Sequence, residues 1–136
     1  MKYTEDQLVQ RTTAEYLHNQ LGWESVYAYN DEDFGPESLL GRKSDREVVL
    51  TRYLRAALVK LNKNLPSEAY DEAVRQIVES SASQTILVAN REKYGLLRGG
   101  VQVAYRTAKG DLVRKTLHVF DFDHPAENHF LAVREL

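Results

Sequence analysis

Phe130-Leu131-Ala132-Val133-Arg134-Glu135-Leu136 alternates apolar and other residues with a period of two, the pattern of a half-buried strand. No Gly, Pro, Asn or charged tail follows to end it. A strand with one apolar face needs a neighbour to cover that face and to pair with its backbone. The expectation that follows is a chain forming the front part of a larger protein, with the covering neighbour and the chemistry both beyond Leu136.

Upstream of this strand, Asp123-His124-Pro125-Ala126-Glu127-Asn128 reads as a loop. Before it, Val101, Val103 and Tyr105 alternate, Ala108-Lys109-Gly110-Asp111 supplies a turn, and Leu112 to Phe122 runs as a second strand, which predicts a β-hairpin. Further upstream the period is helical. Thr4-Glu5-Asp6-Gln7 has the form of a capping box, and Leu8, Val9, Tyr16, Leu17 and Leu21 give one apolar face up to the stop at Gly22. Trp23 to Tyr29 has strand composition, and Asn30 to Lys43 is a loop with an acidic start and breakers at Gly35, Pro36 and Gly41.

Ser44-Asp45-Arg46-Glu47 forms a second capping box. Behind it Val48, Val49, Tyr53, Leu54, Ala57, Leu58 and Leu61 trace the clearest helical stripe in the chain, ending near Asn62. Leu65-Pro66-Ser67-Glu68 turns into a third helix through Tyr70, Ala73, Val74, Ile77 and Val78, broken at Ser80 to Ser83. A fourth segment, Thr85 to Arg98, ends at Gly99-Gly100. There is no internal repeat, low-complexity tract or interdomain linker. The fold class expected is α+β, with helices packed on a small mixed or antiparallel sheet.

The 136 residues suit one domain with a real core, and 43% hydrophobic and 28% charged residues are ordinary for a globular chain. The absence of cysteine excludes disulfides and thiolate metal sites. Lys2-Tyr3-Thr4-Glu5-Asp6 does not resemble a signal peptide, and no apolar run approaches the ~20 residues that span a bilayer, so a cytoplasmic location with no membrane partner is expected. A formal charge of −2 argues against a dedicated DNA-binding module, though not against a larger DNA enzyme.

Asp121-Phe122-Asp123-His124-Pro125-Ala126-Glu127-Asn128-His129 gathers three carboxylates and two histidines, but at spacings that match no EF-hand or zinc motif. An Asx-type turn at Asp123 is the preferred reading, and no metal ligand is assigned. Asp31, Glu32 and Asp33 read as a solvated acidic loop, and His18 and His118 have no acidic or nucleophilic companion in sequence. No Gly-x-Ser-x-Gly elbow and no Walker-type Gly-x-x-x-x-Gly-Lys occurs. Arg42, Lys43, Arg46, Arg52 and Arg55 form a loose basic set, with Arg52 and Arg55 on one helical face near Tyr53. Phosphate contact and a solvated face with Glu47 as ion-pair partner are its two readings, and the candidate DNA-binding residues are Arg42, Lys43, Arg46 and Arg52.

Three stretches together are more specific. Thr4-Glu5-Asp6-Gln7-Leu8-Val9 runs through Leu21-Gly22-Trp23-Glu24, and Leu40-Gly41-Arg42 runs through Leu61-Asn62-Lys63-Asn64-Leu65-Pro66. Ala89-Asn90-Arg91-Glu92 then leads through Leu96-Leu97-Arg98-Gly99-Gly100-Val101. Continued by Val119-Phe120-Asp121-Phe122-Asp123-His124-Pro125 and Asn128-His129-Phe130-Leu131, this order resembles the N-terminus of the R subunit (HsdR) of type I restriction enzymes, from about Tyr3 to Leu136. The resemblance implies the first part of a nuclease domain of the PD-(D/E)xK type. That domain belongs to an ATP-dependent motor and endonuclease that acts on DNA together with methylation and specificity subunits. It also implies that a metal-binding Asp, a Glu-x-Lys pair and a Gln-x-x-x-Tyr motif come after this segment, with Mg2+ and ATP as cofactors of the whole protein.

No catalytic residue is carried over, since Glu92-Lys93 is adjacent rather than spaced and sits in an expected helix. Glu5 stands at the Thr-Glu start where such nucleases often place an acid, whereas the acid often found at the end of Asp-x-Leu-Val-Glu is Gln10 here, so this helix is expected to hold no metal. The expected function is therefore an R-subunit fragment that is inactive on its own. The alternatives are a stand-alone protein-interaction module and a small nucleic-acid-binding domain.

Overall fold

The computed structural model describes residues 4, 6–28, 34–44, 46–79 and 83–134. Expectations resting on Glu5, Tyr29, the acidic loop 30–33, Asp45, residues 80–82 and residues 135–136 lie outside these. The chain divides into two compact units, a continuous one (45–128) and a discontinuous one (1–44 with 129–136).

In the continuous unit, helix α2 (Thr51–Leu61) packs on α3 (Ser67–Val78), which packs on strand β2 (Val101–Arg106). Strand β2 pairs antiparallel with β3 (Leu112–Leu117) from Val101↔Leu117 to Arg106↔Leu112. The core follows from the periods already read: Leu58 from α2, Ala69, Tyr70, Ala73 and Ile77 from α3, and Val101, Val103 and Leu117 from one face of the hairpin. Each Leu or Val buried here contributes about 1.5–3 kcal/mol. Tyr70 keeps its polar end satisfied by donating to the Asn62 carbonyl oxygen (2.6 Å) and accepting from the Leu65 N–H (3.3 Å).

Helix α4 (Ile86–Gly99) is capped by Thr85, whose hydroxyl accepts from the Val88 N–H, and it ends at Gly100 with φ 94°. A Cβ at Gly100 would sit 2.7 Å from Thr116 Cγ2, so both the turn and the close approach to β3 require glycine. Lys93 of α4 donates to the Gln76 carbonyl (2.6 Å) and to that of Glu79, satisfying carbonyls at the end of α3.

In the discontinuous unit, a π-helical turn (Asp6–Gln10) leads into α1 (Arg11–Leu21), closed by Gly22 at φ 71°. Helix α1 packs on both β1 (Glu24–Tyr27) and β4 (Leu131–Arg134), which pair in parallel from Glu24↔Leu131 to Tyr27↔Arg134. Trp23 stacks on Phe130 with centroids 5.1 Å apart, and His129 Nε2 lies 2.5 Å from Glu24 Oε2.

Helices and strands do mix as an α+β chain, but three expectations are corrected. Strand β4 has its neighbour within the chain, because β1 pairs with it. The described strands form two separate two-stranded sheets, one parallel and one antiparallel, rather than one sheet. Helix α2 starts at Thr51, not behind the box at Ser44 to Glu47, because Val48 is 87% exposed and the stripe meets the core only from Leu54 onward.

The second hairpin strand also stops at Leu117 rather than Phe122. Its partner strand begins at Val101, so the next position opposite is Gly100, the cap of α4. Instead, the Asn62 side chain takes over His118: its Nδ2 donates to the His118 carbonyl (2.8 Å) and its Oδ1 accepts from the His118 N–H (2.8 Å).

Candidate functional site

The basic set proposed from sequence is divided between the two units. Arg42 is only 6% exposed, with its guanidinium 5.9 Å from the Phe34 ring centroid and its carbonyl accepting from the Gly35 N–H (2.7 Å). Lys43 is exposed beside it in the discontinuous unit, whereas Arg46 and Arg52 are exposed in the continuous unit. Arg52 lies over Tyr53 at 5.1 Å from the ring centroid. Arg55 serves the scaffold instead, reaching Asp71 (3.0 Å) and Ser67 Oγ (2.8 Å) and so tying α2 to α3.

The acidic and histidine-bearing loop closes on itself. Asp121 accepts from the His124 N–H (2.9 Å) and the Asp123 N–H (3.1 Å), so the Asx-type turn is made by Asp121 and not by Asp123. Asn128 completes the loop, donating to the carbonyls of Asp121 (2.8 Å) and Pro125 (3.1 Å) and accepting from the Asp121 N–H (2.8 Å). The backbone N–H of His124, foremost, holds the Asp121 carboxyl below its ordinary value. Among the described residues, no three His, Asp or Glu side chains converge as a metal site would require. His18 is bonded through Nδ1 to the Trp23 carbonyl (2.7 Å) at the turn into β1.

Two features escape a reading of the sequence. Tyr94, Leu97, Arg98, Phe120 and Phe122 line an open concavity of about 490 Å3. Its aromatic wall has the pattern of a strand, and only the loss of a β partner after Leu117 frees Phe120 and Phe122 for it. The second feature is a group of cations on the hairpin: Arg106, Lys109, Arg114 and Lys115, all exposed. The signal is present as four cations against one acid, Asp111, between Val101 and Leu117.

Among known proteins, the family described as "Type I restriction enzyme R protein N terminus" matches residues 2–136. The chain is also 34% identical over 128 residues to the "Type I restriction enzyme HindI endonuclease subunit" of Haemophilus influenzae, across 94% of this chain and 12% of that protein. It therefore spans about 12% of the length of the curated relative that it matches. No solved structure matches. Matched over nearly all of its length, the chain belongs to the family of type I restriction enzyme R protein N termini.

Proposed function

We propose that residues 1–136 are the N-terminal part of the nuclease domain of a type I restriction enzyme R subunit. The observation that carries this reading is the family match over residues 2–136, supported by likeness to a protein named as an endonuclease subunit. In the intact complex the R subunit translocates DNA with ATP and cuts it with a metal-dependent nuclease, alongside methylation and specificity subunits, in the cytoplasm. The magnesium ion of such a nuclease activates water and stabilises charge on the phosphate. Its ligands are assigned, by the family likeness, to residues of the R subunit outside this chain.

The role left to this chain is to build a scaffold and to contact DNA. Of the residues chosen from sequence, exposed Lys43, Arg46 and Arg52 can meet phosphate, while buried Arg42 holds the turn that carries Lys43. The test is plasmid cleavage by the assembled enzyme with ATP and Mg2+, compared with an R subunit lacking these residues and with the 136-residue chain alone. Cleavage by the first and by neither of the others is expected. Robust magnesium-dependent nicking by the pure chain, or undiminished cleavage by the deleted assembly, would overturn the reading.

A further inference from the structure

We propose that the outward face of the β2–β3 hairpin docks on a nucleic-acid duplex, with Arg106, Lys109 and Arg114 contacting phosphates without reading sequence. This rests on DNA being the substrate in the function proposed above, and it names the surface that meets it.

The pleat separates two faces. Val101, Val103 and Leu117 are buried in the core. The alternate positions, Gln102, Ala104 and Arg106 on β2 and Leu112, Arg114 and Thr116 on β3, are exposed and directly paired across the ribbon. Lys109 stands at the turn, whereas Lys115, paired with buried Val103, belongs to the other face of the pleat. The segment thus has a surplus of three positive charges in a chain whose formal charge is −2.

These cations are not neutralised internally. Among the described residues, Lys109, Arg114 and Lys115 have no ion-pair partner, and Arg106 is held at the tip by donating to the Gly110 carbonyl (2.9 Å). Arg75 shows the contrast, bracketed by Glu72 (2.6 Å) and Glu79 (3.0 Å). Like charges gathered on one ribbon repel one another until an anionic partner covers them.

The surface is also rigid and of a fitting size. Its inner residues are in the core, and Gln76 Nε2 bonds the Gln102 carbonyl at 2.9 Å. Two strands lie about 4.8 Å apart, and a major groove about 12 Å wide admits such a ribbon. Apart from Leu112 the outward face offers no large apolar side chain. That composition suits a polar, positively charged protein–DNA interface better than the apolar centre of a protein–protein one.

The experiment measures anisotropy of a labelled duplex of arbitrary sequence with the 136-residue chain, between about 50 and 200 mM salt. Three phosphate contacts from the hairpin contribute roughly −2.7 to the slope of log affinity on log salt, and each single change to Gln should remove about 1 from it. The triple variant Arg106→Gln/Lys109→Gln/Arg114→Gln, with unchanged circular dichroism, is expected to lose that share of the slope. Arg75→Gln, which removes a cation already bracketed by Glu72 and Glu79, is expected to keep it. Three results would overturn the proposal: no binding at the lowest salt, a triple variant with the parent slope, or equal competition by polyglutamate, which would assign the face to an acidic protein. None of them bears on the R-subunit reading, which is decided by cleavage in the assembled enzyme.

Discussion

Each unit is held together internally by a different kind of contact. The continuous unit encloses Leu58, Tyr70, Ile77, Val101, Val103 and Leu117 in one shared core. Among its described residues, the discontinuous unit buries Ala14, Val26, Ala28 and Leu40, with one buried cation, Arg42. It relies instead on directed contacts: parallel backbone pairing, the Trp23–Phe130 stack, Arg134 over Tyr27 at 4.3 Å, and the His129–Glu24 pair. A buried Leu contributes about 1.5–3 kcal/mol, an aromatic pair about 0.5–1.5 beyond its area, and an exposed ion pair about 0–1. Stability in the first unit is therefore concentrated in a few large side chains, and in the second it is spread thinly over many contacts.

The largest effect should come from Leu58→Ala, which leaves a cavity between α2 and α3 and is expected to cost about 2–5 kcal/mol in urea unfolding followed by circular dichroism. A loss below about 0.5 kcal/mol, the level of a typical surface change, would erase the distinction between the units. Next is Asn62→Ala, which removes bonds to the Leu58 and His118 carbonyls and the acceptor for the His118 N–H. Because His118 is exposed and water can replace part of this, the expected cost is about 1–2 kcal/mol. Asn62→Asp keeps the acceptor but sets a carboxylate oxygen against the Leu58 and His118 carbonyls, so it should cost at least as much as Asn62→Ala.

The same contrast explains what is legible in the sequence. Helices α3 and α4 and the turn at Ala108 to Asp111 are readable because local signals decide them: Pro66 ahead of Ser67, the Thr85 cap, and glycines at 100 and 110 with φ of 94° and 87°. What fails depends on distant partners. Nothing local tells that Leu131 pairs with Glu24 or that Gly100 leaves His118 to the Asn62 side chain. Nor does anything near Arg42 announce its burial, since adjacent Lys43 is exposed. The candidate site is less legible than the fold for this reason: a basic set in sequence is divided between units, and the compact one lies in a segment whose pattern speaks only of strands.

A smaller effect concerns the discontinuous unit. Trp23 is the single tryptophan of the chain, so its fluorescence reports on this unit alone. Phe130→Ala removes the stacked ring but keeps the reporter. The expected result is a red-shifted emission and a loss of about 0.5–1.5 kcal/mol beyond the lost area in the transition seen by fluorescence. An unshifted emission and transition would show that the stack contributes nothing there.

The smallest effect is a pH dependence, and it belongs to the continuous unit. Glu72 is held below its ordinary 4.5 chiefly by its hydrogen bond from Arg75, and Asp121 below its ordinary 3.8 chiefly by the His124 N–H. With folded values depressed, the unfolded chain takes up these protons first as acid is added. Stability from both groups is therefore fully present above their ordinary values and is lost as pH falls through the folded ones. Asp121→Asn retains an oxygen able to accept from His124 and Asp123 while losing the charge, so the loop should persist while its share of the acid-side slope vanishes. Unfolding free energies measured at closely spaced pH values below the ordinary 3.8 are expected to fall less steeply in Asp121→Asn, and less steeply still with Glu72→Gln added. A double variant as acid-sensitive as the parent would mean that these carboxylates are no better stabilised folded than unfolded, and that the continuous unit rests on its apolar core without help from charge.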